Sequence, residues 1–267
     1  MAFYQLLMRI ILPAAAIVIL AGIIILFALA FSQNAVIPKV RRRGTPVHLL
    51  IVLGSGGHTT EMFFMLEKVL DLSVYSYRTY VVTSGDQFSA GKATEFEAKQ
   101  VARQMEQNKN LTDTGSFDVV TIPRARRVHQ SYWTAPFTTI QSFWACLLVL
   151  CGKYPDQQGL PLKYTSACPD IIITNGPAVS VCMIVAAKTL RFFIFISRIL
   201  SGKNFKPEIS RLRTIFVESW ARISTLSTSG VLLLPLADRF LVQWPGLAGR
   251  RAWWGMKKTS YVGWAVL

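Results

Sequence analysis

The sequence predicts an α/β fold in which a parallel sheet follows one transmembrane helix. Three observations lead to this prediction: an uncharged apolar run near the start, a buried-strand pattern ending in a glycine turn, and further apolar runs alternating with helical segments. Residues 47–53 (VHLLIVL) have the length and the Val, Ile and Leu content of a strand buried on both faces. Gly54, Gly56 and Gly57 follow, and an amphipathic helix is predicted to begin at Thr59.

The N-terminal apolar run predicts a membrane anchor. Residues 10–31 carry no charge, and about 20 apolar residues span a bilayer. A cleaved signal peptide is the alternative, because residues 28–30 (ALA) resemble a cleavage site. Lys39 and Arg41 to Arg43 follow the run, and basic residues on that flank place the C-terminal side in the cytosol. We therefore expect a lumenal end at 1–9, an anchor at 10–31, a basic linker at 32–46, a domain at 47–258 and a tail at 259–267.

The rest of the chain continues the alternation of strands and helices. Strands are predicted at 78–84, 119–122, 170–174, 214–217 and 239–244, and helices at 91–108 and 136–151. Lys188 and Arg191 interrupt the apolar stretch 179–200, which predicts a buried helix with an interfacial portion rather than a second span. Seven basic residues and one acid lie between Lys188 and Arg213. This region suits an anionic membrane surface, with a solvated loop as the alternative.

Composition narrows the function classes. The net charge of +15 over 267 residues, 52% of them hydrophobic, favours a phosphorylated substrate or anionic lipid. Nucleic acid is not favoured, because the chain carries no zinc-finger, RNP or helix-turn-helix pattern. Four cysteines without C-x-x-C indicate free thiols in a reducing compartment. The three histidines lack metal-ligand spacing, and neither D-x-D nor Y-x-x-x-K occurs, so no metal and no cofactor are predicted.

The glycine turn after the first strand predicts a site for phosphate or pyrophosphate. Such a turn directs backbone N–H groups and the positive end of a helix at one point, and glycine lets a ligand approach closely. The pattern is not a Walker A loop, since no Gly-Lys-Ser/Thr follows, and Thr59 replaces the third glycine of G-x-G-x-x-G. A tight connection without a ligand is the alternative.

His58 stands at the start of the predicted helix. A helix N-terminus disfavours imidazolium, so a neutral ring there would serve as a base or a hydrogen-bond donor. A helix-capping role is the alternative. Glu61 is predicted in the first turn, where a negative charge suits the helix dipole. The shared face of this helix is predicted to comprise Met62, Leu66, Val69 and Leu70.

Other strand ends supply further candidates. Arg124 and Arg126 follow the strand at 119–122, and ligands of open α/β sheets bind at the carboxyl ends of strands. The two guanidinium groups would grip a pyrophosphate, with a solvated basic loop as the alternative. Asn175 and Gly176 form a second glycine turn that points at the same crevice. Asp86 would hold a ribose in a dinucleotide-binding fold, or equally cap the next helix.

Five segments identify a resemblance that spans nearly all of the predicted cytosolic part. They are LGSGGHTTEM (53–62), IPRARRVHQS (122–131), PDIIITNGP (169–177), VESWARISTLSTSG (217–230) and ADRFLVQWP (237–245). The chain resembles the family of membrane-anchoring subunits of the eukaryotic N-acetylglucosaminyltransferase that adds the second GlcNAc to dolichol-linked GlcNAc-pyrophosphate. Members of that family often carry Gly-Thr after NGP, where this chain has Ala178 and Val179.

The resemblance implies a Rossmann-like sheet similar to the N-terminal, acceptor half of a GT-B glycosyltransferase. The other half, which binds UDP-GlcNAc, would be a separate soluble catalytic subunit in a heterodimer, and the chain length leaves room for one such domain here. The implied reaction is inverting transfer of GlcNAc to GlcNAc-PP-dolichol at the cytosolic face of the endoplasmic reticulum. Other early enzymes of the same pathway are further possible partners. A scaffold without chemistry and a self-contained nucleotide-dependent enzyme, such as an oxidoreductase, remain alternatives.

The resemblance also implies roles for individual residues. His58 would be the catalytic base or a group that orients the acceptor. The acceptor and its pyrophosphate would meet Gly54, Ser55, Gly56, Gly57, Thr59, Arg124, Arg126, Asn175 and Gly176. The apolar tail would dock the catalytic partner through Tyr261, Val262, Trp264, Val266 and Leu267. Packing of that tail on its own domain is the alternative.

Overall fold

The computed structural model describes residues 22, 28–30, 33, 46–107, 114–126, 130–131, 133–158, 168–201 and 212–263. The strands are β1 (His48–Val52), β2 (Tyr77–Thr83), β3 (Ser116–Ile122), β4 (Ile171–Asn175), β5 (Arg213–Val217), β6 (Arg239–Val242) and β7 (Ser260–Tyr261). The helices are α1 (Gly57–Val69), α2 (Gln87–Gln107), α3 (Ala135–Leu150), α4 (Val179–Leu200) and α5 (Thr228–Leu233), with a 3₁₀ turn at Pro245–Leu247. Each strand predicted from the sequence is present, with ends that shift by up to three residues.

All seven strands form one parallel sheet in the order β3-β2-β1-β4-β5-β6-β7. The chain therefore builds outward from β1 to β3, returns to the centre at β4, and builds outward in the other direction. The strand order reverses between β1 and β4, and open α/β sheets bind ligands outside the carboxyl ends of the strands at such a point. The predicted α/β parallel sheet is confirmed, and its switch point lies next to the predicted glycine turns.

Helices cover both faces of the sheet. One face packs against α1 and α2 around Met62, Leu66 and Phe96. The other packs against α3 and α4 around Cys146, Val149 and other apolar side chains. Apolar layers on both faces explain why the central strands are almost continuous hydrophobic runs.

The first helix differs from its prediction at two positions. It begins at Gly57 rather than Thr59, so Glu61 lies in the second turn and not in the first. Val69, predicted to share a face with Met62 and Leu66, is 68% exposed. The helix ends at Val69, and Leu70 enters the core from the extended residue that follows.

The helix α4 is the one element of the described residues that is long and apolar enough to cross a membrane, over Val179–Ser197. Its first half is buried in the domain, where Met183, Ala186 and Ala187 pack against the sheet. Its second half exposes Phe193 and Phe195. The predicted division into a buried portion and a more exposed portion agrees with this arrangement.

The sheet continues beyond residue 258, where the tail was predicted to begin. Thr259 is buried and donates from Oγ1 to the backbone oxygen of Leu247, at 2.6 Å. The strand β7 then pairs with β6, and the Val262 backbone nitrogen donates to Val242. The backbone of residues 259–262 therefore belongs to the domain. The predicted lumenal end, most of the anchor and linker, and Trp264, Val266 and Leu267 lie outside the described residues.

Candidate functional site

Two glycine turns meet at the switch point of the sheet. One joins β1 to α1, and the other follows β4 at Asn175 and Gly176. A Cβ placed on Gly54 would lie 2.6 Å from Cβ of His58, and a Cβ on Gly176 would lie 3.3 Å from Cα of Gly54. Only glycine therefore allows the two turns to approach each other this closely around the His58 ring.

The conformation of the first turn also requires glycine at one position. Gly56 has φ 61° and ψ −120°, a combination that residues with a Cβ rarely adopt. Gly57 has no such requirement, because its φ is not positive and a Cβ there would meet no atom within 4 Å. Ser55, Gly56 and Gly57 are exposed. The start of α1, whose first N–H groups have no partner within the helix, is thus open to solvent.

His58 lies between the two turns and is about one-third exposed. Its Nδ1 is 3.1 Å from Oδ1 of Asn175 and 3.8 Å from Oε2 of Glu61. Both neighbours are hydrogen-bond acceptors, so Nδ1 carries the proton in the neutral ring and Nε2 holds the lone pair. Nε2 makes no hydrogen bond to any residue that the structure describes. The neutral ring can therefore accept a proton at Nε2 from a bound molecule.

The carboxylate of Glu61 controls the charge on this ring. The nearby carboxylate of Glu61 raises the pKa of His58, partial burial opposes that shift, and the charge of Glu218 adds a smaller increase. The helix N-terminus was predicted to keep the ring neutral, and that prediction is wrong in direction because it omitted these carboxylates. Burial alone would raise the pKa of Glu61, but the neighbouring His58 ring and the hydrogen bonds from the Trp220 backbone and the Gln243 amide lower it.

Thr59 and Asp86 stabilise the turn from inside. Thr59 is fully buried, and its hydroxyl donates to the backbone oxygen of Gly54 and lies 2.6 Å from Oγ of Ser89. Asp86 accepts hydrogen bonds from the backbone nitrogen and hydroxyl of Ser89, at 3.1 and 2.7 Å, at the start of α2. Asp86 thus takes the predicted helix-capping alternative, and Thr59 positions the turn from a place that a ligand does not reach.

Arg124 and Arg126 lie at the carboxyl side of β3, two strands away from β1. Nε of Arg124 donates to the backbone oxygen of Ser84, at 2.8 Å, which places its guanidinium beside the end of β2. Arg126 is exposed and donates to the backbone oxygen of Gln130. Both arginines lie at the predicted edge of the sheet, but neither contacts His58.

Sequence reasoning did not connect four residues with His58. They are Glu61, Glu218, Ser219 and Gln243. Glu61 accepts from the backbone nitrogen of Trp220 at 2.6 Å, from Oγ of Ser219 at 3.0 Å and from Nε2 of Gln243 at 2.5 Å. Their sequence signal was present, because Glu61 lies in the first matched segment and the others lie in the fourth and fifth. Only the fold shows that these segments meet.

No group of three or more His, Cys, Asp or Glu able to hold a metal ion occurs in the described part of the chain.

The second turn contains an unusual alanine. Ala178, which stands where the resembling family often has glycine, adopts φ 50°. Its backbone nitrogen is 3.3 Å from Oγ of Ser229, and its backbone oxygen accepts from Cys182 in the first turn of α4. Ala178 thus adopts a left-handed conformation that glycine would accommodate at no steric cost.

Comparison with known proteins gives a consistent result. The family model described as "Oligosaccharide biosynthesis protein Alg14 like" matches residues 49–265. A protein of Aspergillus fumigatus named UDP-N-acetylglucosamine transferase subunit alg14 is 52% identical over 225 residues, covering 76% of this chain and 98% of that relative. Proteins with the same subunit name are 35% identical in Schizosaccharomyces pombe, over 93% of this chain and 95% of the relative, and 34% identical in Mus musculus, over 75% and 77%. No solved structure matches the chain.

Proposed function

The chain belongs to the Alg14-like family of oligosaccharide biosynthesis proteins, and from this premise we propose that it is the membrane-anchored, acceptor-binding subunit of a two-part inverting glycosyltransferase. The complex transfers GlcNAc from UDP-GlcNAc to GlcNAc-PP-dolichol at the cytosolic face of the endoplasmic reticulum. The observation that carries the proposal is the convergence of two glycine turns on His58 at the switch point of the sheet.

The first turn suits the acceptor pyrophosphate. Gly56 and Gly57 are exposed at the start of α1, where free N–H groups and the helix dipole favour a negative charge. No side chain at these two positions blocks close approach of a phosphate to the backbone. Arg124 and Arg126, two strands away, add positive charge on the same edge of the sheet.

His58 suits the chemical step. The acceptor hydroxyl oxygen attacks C1 of the donor GlcNAc, the bond from C1 to the UDP oxygen breaks, and UDP leaves with the electron pair. The hydroxyl proton passes to Nε2 of His58, which has the lone pair because Nδ1 is committed to Asn175 and Glu61. Since the donor would be bound by the other subunit, the step requires the assembled complex.

An apolar stripe on one side of the sheet supports the membrane part of the proposal. Trp133, Phe137, Ile140 and Trp144 follow each other at helical spacing on or just before α3, and each is at least 62% exposed. The helix α3 carries no charged residue. Tryptophan at both ends of an apolar stripe is typical of helices that lie in the interface of a bilayer.

The end of the predicted anchor packs on this same side. Leu29 and Ala30 are buried with Ile184 of α4, which in turn packs beside α3. Gln33 is also buried, and its side-chain nitrogen donates to the backbone oxygens of Leu234 and Ala237 at 3.1 and 2.6 Å. We infer that this side, with α3 and the second half of α4, faces the bilayer, so that a partner bound elsewhere on the domain is held at the membrane.

The edge strand β7 supports docking of a partner. Tyr261 and Val262 are 46% and 48% exposed although their backbone pairs with β6. Their side chains thus present apolar surface at the outer edge of the sheet. We propose that this edge binds the soluble UDP-GlcNAc-binding subunit.

The proposal is tested by reconstituting transfer. Membranes that contain the full chain are combined with the soluble partner, UDP-[¹⁴C]GlcNAc and a GlcNAc-PP-polyprenol acceptor, and the lipid product is counted. We expect product only when both proteins are present, and a loss of about 10²–10⁴-fold with His58→Ala at unchanged partner recruitment. Lys99→Ala on exposed α2 is the matched control and should be neutral.

Other outcomes would replace the proposal. Full transfer with His58→Ala would indicate a scaffold that anchors its partner and takes no part in the chemistry. Transfer, or NAD(P)-dependent turnover, by the purified chain without a partner would indicate a self-contained enzyme.

A further inference from the structure

Glu61 connects helix α1 to the ends of two strands, β5 and β6. It projects from the second turn of α1 and is 8% exposed. Its carboxylate accepts hydrogen bonds from the Trp220 backbone and the Ser219 hydroxyl after β5, and from the Gln243 amide after β6. A buried carboxylate with this many donors is stable in its ionised form and cannot move without losing several hydrogen bonds. Glu61 is therefore a fixed negative charge.

This fixed charge lies beside one nitrogen of His58 and not the other. Oε2 of Glu61 is 3.8 Å from Nδ1, and the same nitrogen is 3.1 Å from Oδ1 of Asn175. Asn175 is fully buried at the end of β4, and its amide nitrogen makes no hydrogen bond within the described residues. The two acceptors define both the orientation of the ring and the position of its proton.

The charged groups that act on His58 come from two elements. Glu61 belongs to its own helix, and Glu218 lies at the end of β5, where Ser227 donates to it at 3.0 Å. Asn175, from β4, is neutral. Both charges are negative and both raise the pKa of His58, with Glu61 the larger influence.

We propose that Glu61 is a positioning residue, which holds the His58 ring with Nδ1 protonated and Nε2 available to the acceptor hydroxyl and makes that nitrogen a stronger base. The role rests on the proposed transferase function. Glu61 touches no substrate in this scheme and acts only through His58. Arrangements in which a carboxylate orients a histidine base are effective because they fix the tautomer before the proton moves.

The first test measures the pKa of His58 directly and does not depend on transfer activity. The full chain, labelled with ¹³C in the histidine rings and held in detergent micelles, is titrated by NMR, and His58→Ala assigns the signal. We expect Glu61→Gln to lower the pKa of His58 by on the order of one unit, because a nearby opposite charge has been removed. Glu67→Gln, on the same helix and partly exposed, is the matched control and should leave it unchanged. An unchanged His58 pKa in Glu61→Gln overturns the proposal.

The second test measures how the transfer rate of the assembled complex depends on pH. His58 acts as a base only when it is neutral, so kcat/KM should rise with pH through the pKa of His58. With Glu61→Gln this rise should move to lower pH, and kcat on the plateau should fall by up to about tenfold because the base is weaker by about one pKa unit. KM for the acceptor should change by less than about threefold, since Glu61 does not bind it.

Glu61→Asp keeps the negative charge and covers the case in which Glu61→Gln does not fold. Its pH profile should lie closer to that of the unmodified chain than the profile of Glu61→Gln does. With Glu61→Gln, a loss of rate without any movement of the profile would mean that Glu61 only stabilises the fold, and would overturn the proposal. If the unmodified complex shows no transfer, the proposed function fails, and the NMR titration still decides the relation between Glu61 and His58.

Discussion

Nζ of Lys188 lies 2.6 Å from Oδ1 of Asp238, and both side chains are buried in the domain. Asp238 also accepts from Arg191 at 2.6 Å and from the backbone and hydroxyl of Thr214 at 3.0 and 3.1 Å. These bonds explain how the apolar helix α4 accommodates the cations of Lys188 and Arg191. The cations do not mark the place where the helix leaves the core; they attach it to the start of β6.

Substitutions in the ion-pair cluster should differ in their effect on the free energy of unfolding. Asp238→Asn leaves two cations against one neutral amide and should cost about 3–5 kcal/mol in the free energy of unfolding. Lys188→Met removes a buried charge while Arg191 still neutralises Asp238, so its cost should be clearly smaller. Denaturant unfolding of both variants measures the difference, and equal losses would contradict this account.

Asp238 also predicts loss of stability in acid. Burial alone would raise the pKa of Asp238, but the charges of Lys188 and Arg191 lower it below the ordinary value of 3.8. The unfolded chain therefore binds this proton first, so the stabilising contribution is complete above the unfolded pKa and is lost as the pH falls through the folded pKa. Unfolding measured from pH 6 down to pH 2.5 should show a smaller decline in Asp238→Asn than in the unmodified chain. An identical decline would exclude Asp238 as a source of the acid sensitivity.

Neighbouring glycines of the first turn should respond differently to substitution. Gly56→Val forces a branched residue to φ 61° and should destabilise the fold. A Cβ at Gly57 would meet no atom within 4 Å, so we expect the fold to tolerate Gly57→Val. Transfer should fall at least tenfold, because a side chain then stands where the acceptor pyrophosphate would bind. Thermal unfolding and the transfer assay separate the two effects. Full transfer with Gly57→Val would remove this turn from the acceptor site.

The left-handed alanine predicts a stabilising substitution. Ala178→Gly relieves a conformation that costs roughly 1–2 kcal/mol, offset by the roughly 0.5–1 kcal/mol that glycine loses on folding, so a small net gain is expected. The same change at Ala102, exposed within α2, should cost about 1 kcal/mol. A higher free energy of unfolding for Ala178→Gly and a lower one for Ala102→Gly, both measured with denaturant, would support the observed φ of Ala178. A lower free energy of unfolding for both variants would contradict it.

The apolar stripe on α3 predicts contact with lipid. In full-length chain reconstituted into vesicles with brominated lipids, Trp144 should be quenched, so Trp144→Phe should lower the quenched fraction of the emission. Trp254, 85% exposed in the connection between β6 and β7, is the matched control, and Trp254→Phe should not lower it. Equal effects would place the stripe away from the bilayer.

The sheet could be predicted from the sequence because each strand is recognisable from a short local stretch of residues. Each strand is a short apolar run, and each glycine turn directly follows one, so neither requires knowledge of the partner segments. The contacts around His58 are different, because Asn175 is 117 residues away and Gln243 is separated from Glu61 by 182. The start of α1 also mattered, because the helix begins two residues earlier than predicted. Glu61 therefore lies in the second turn, where it accepts hydrogen bonds from other segments instead of interacting with the helix dipole.

The buried Gln33 has a mechanical consequence. Its oxygen accepts from the Lys257 backbone at 3.1 Å while its nitrogen binds the Leu234 and Ala237 carbonyls, so the chain is held to the domain within two residues of the predicted bilayer exit at residue 31. If the predicted anchor spans the bilayer before Leu29 and Ala30, which pack in the domain, this attachment would hold the domain rigidly against the end of the anchor. In the proposed function, the domain would then search for its lipid-linked acceptor by diffusion in two dimensions, at a constant distance from the lipid surface.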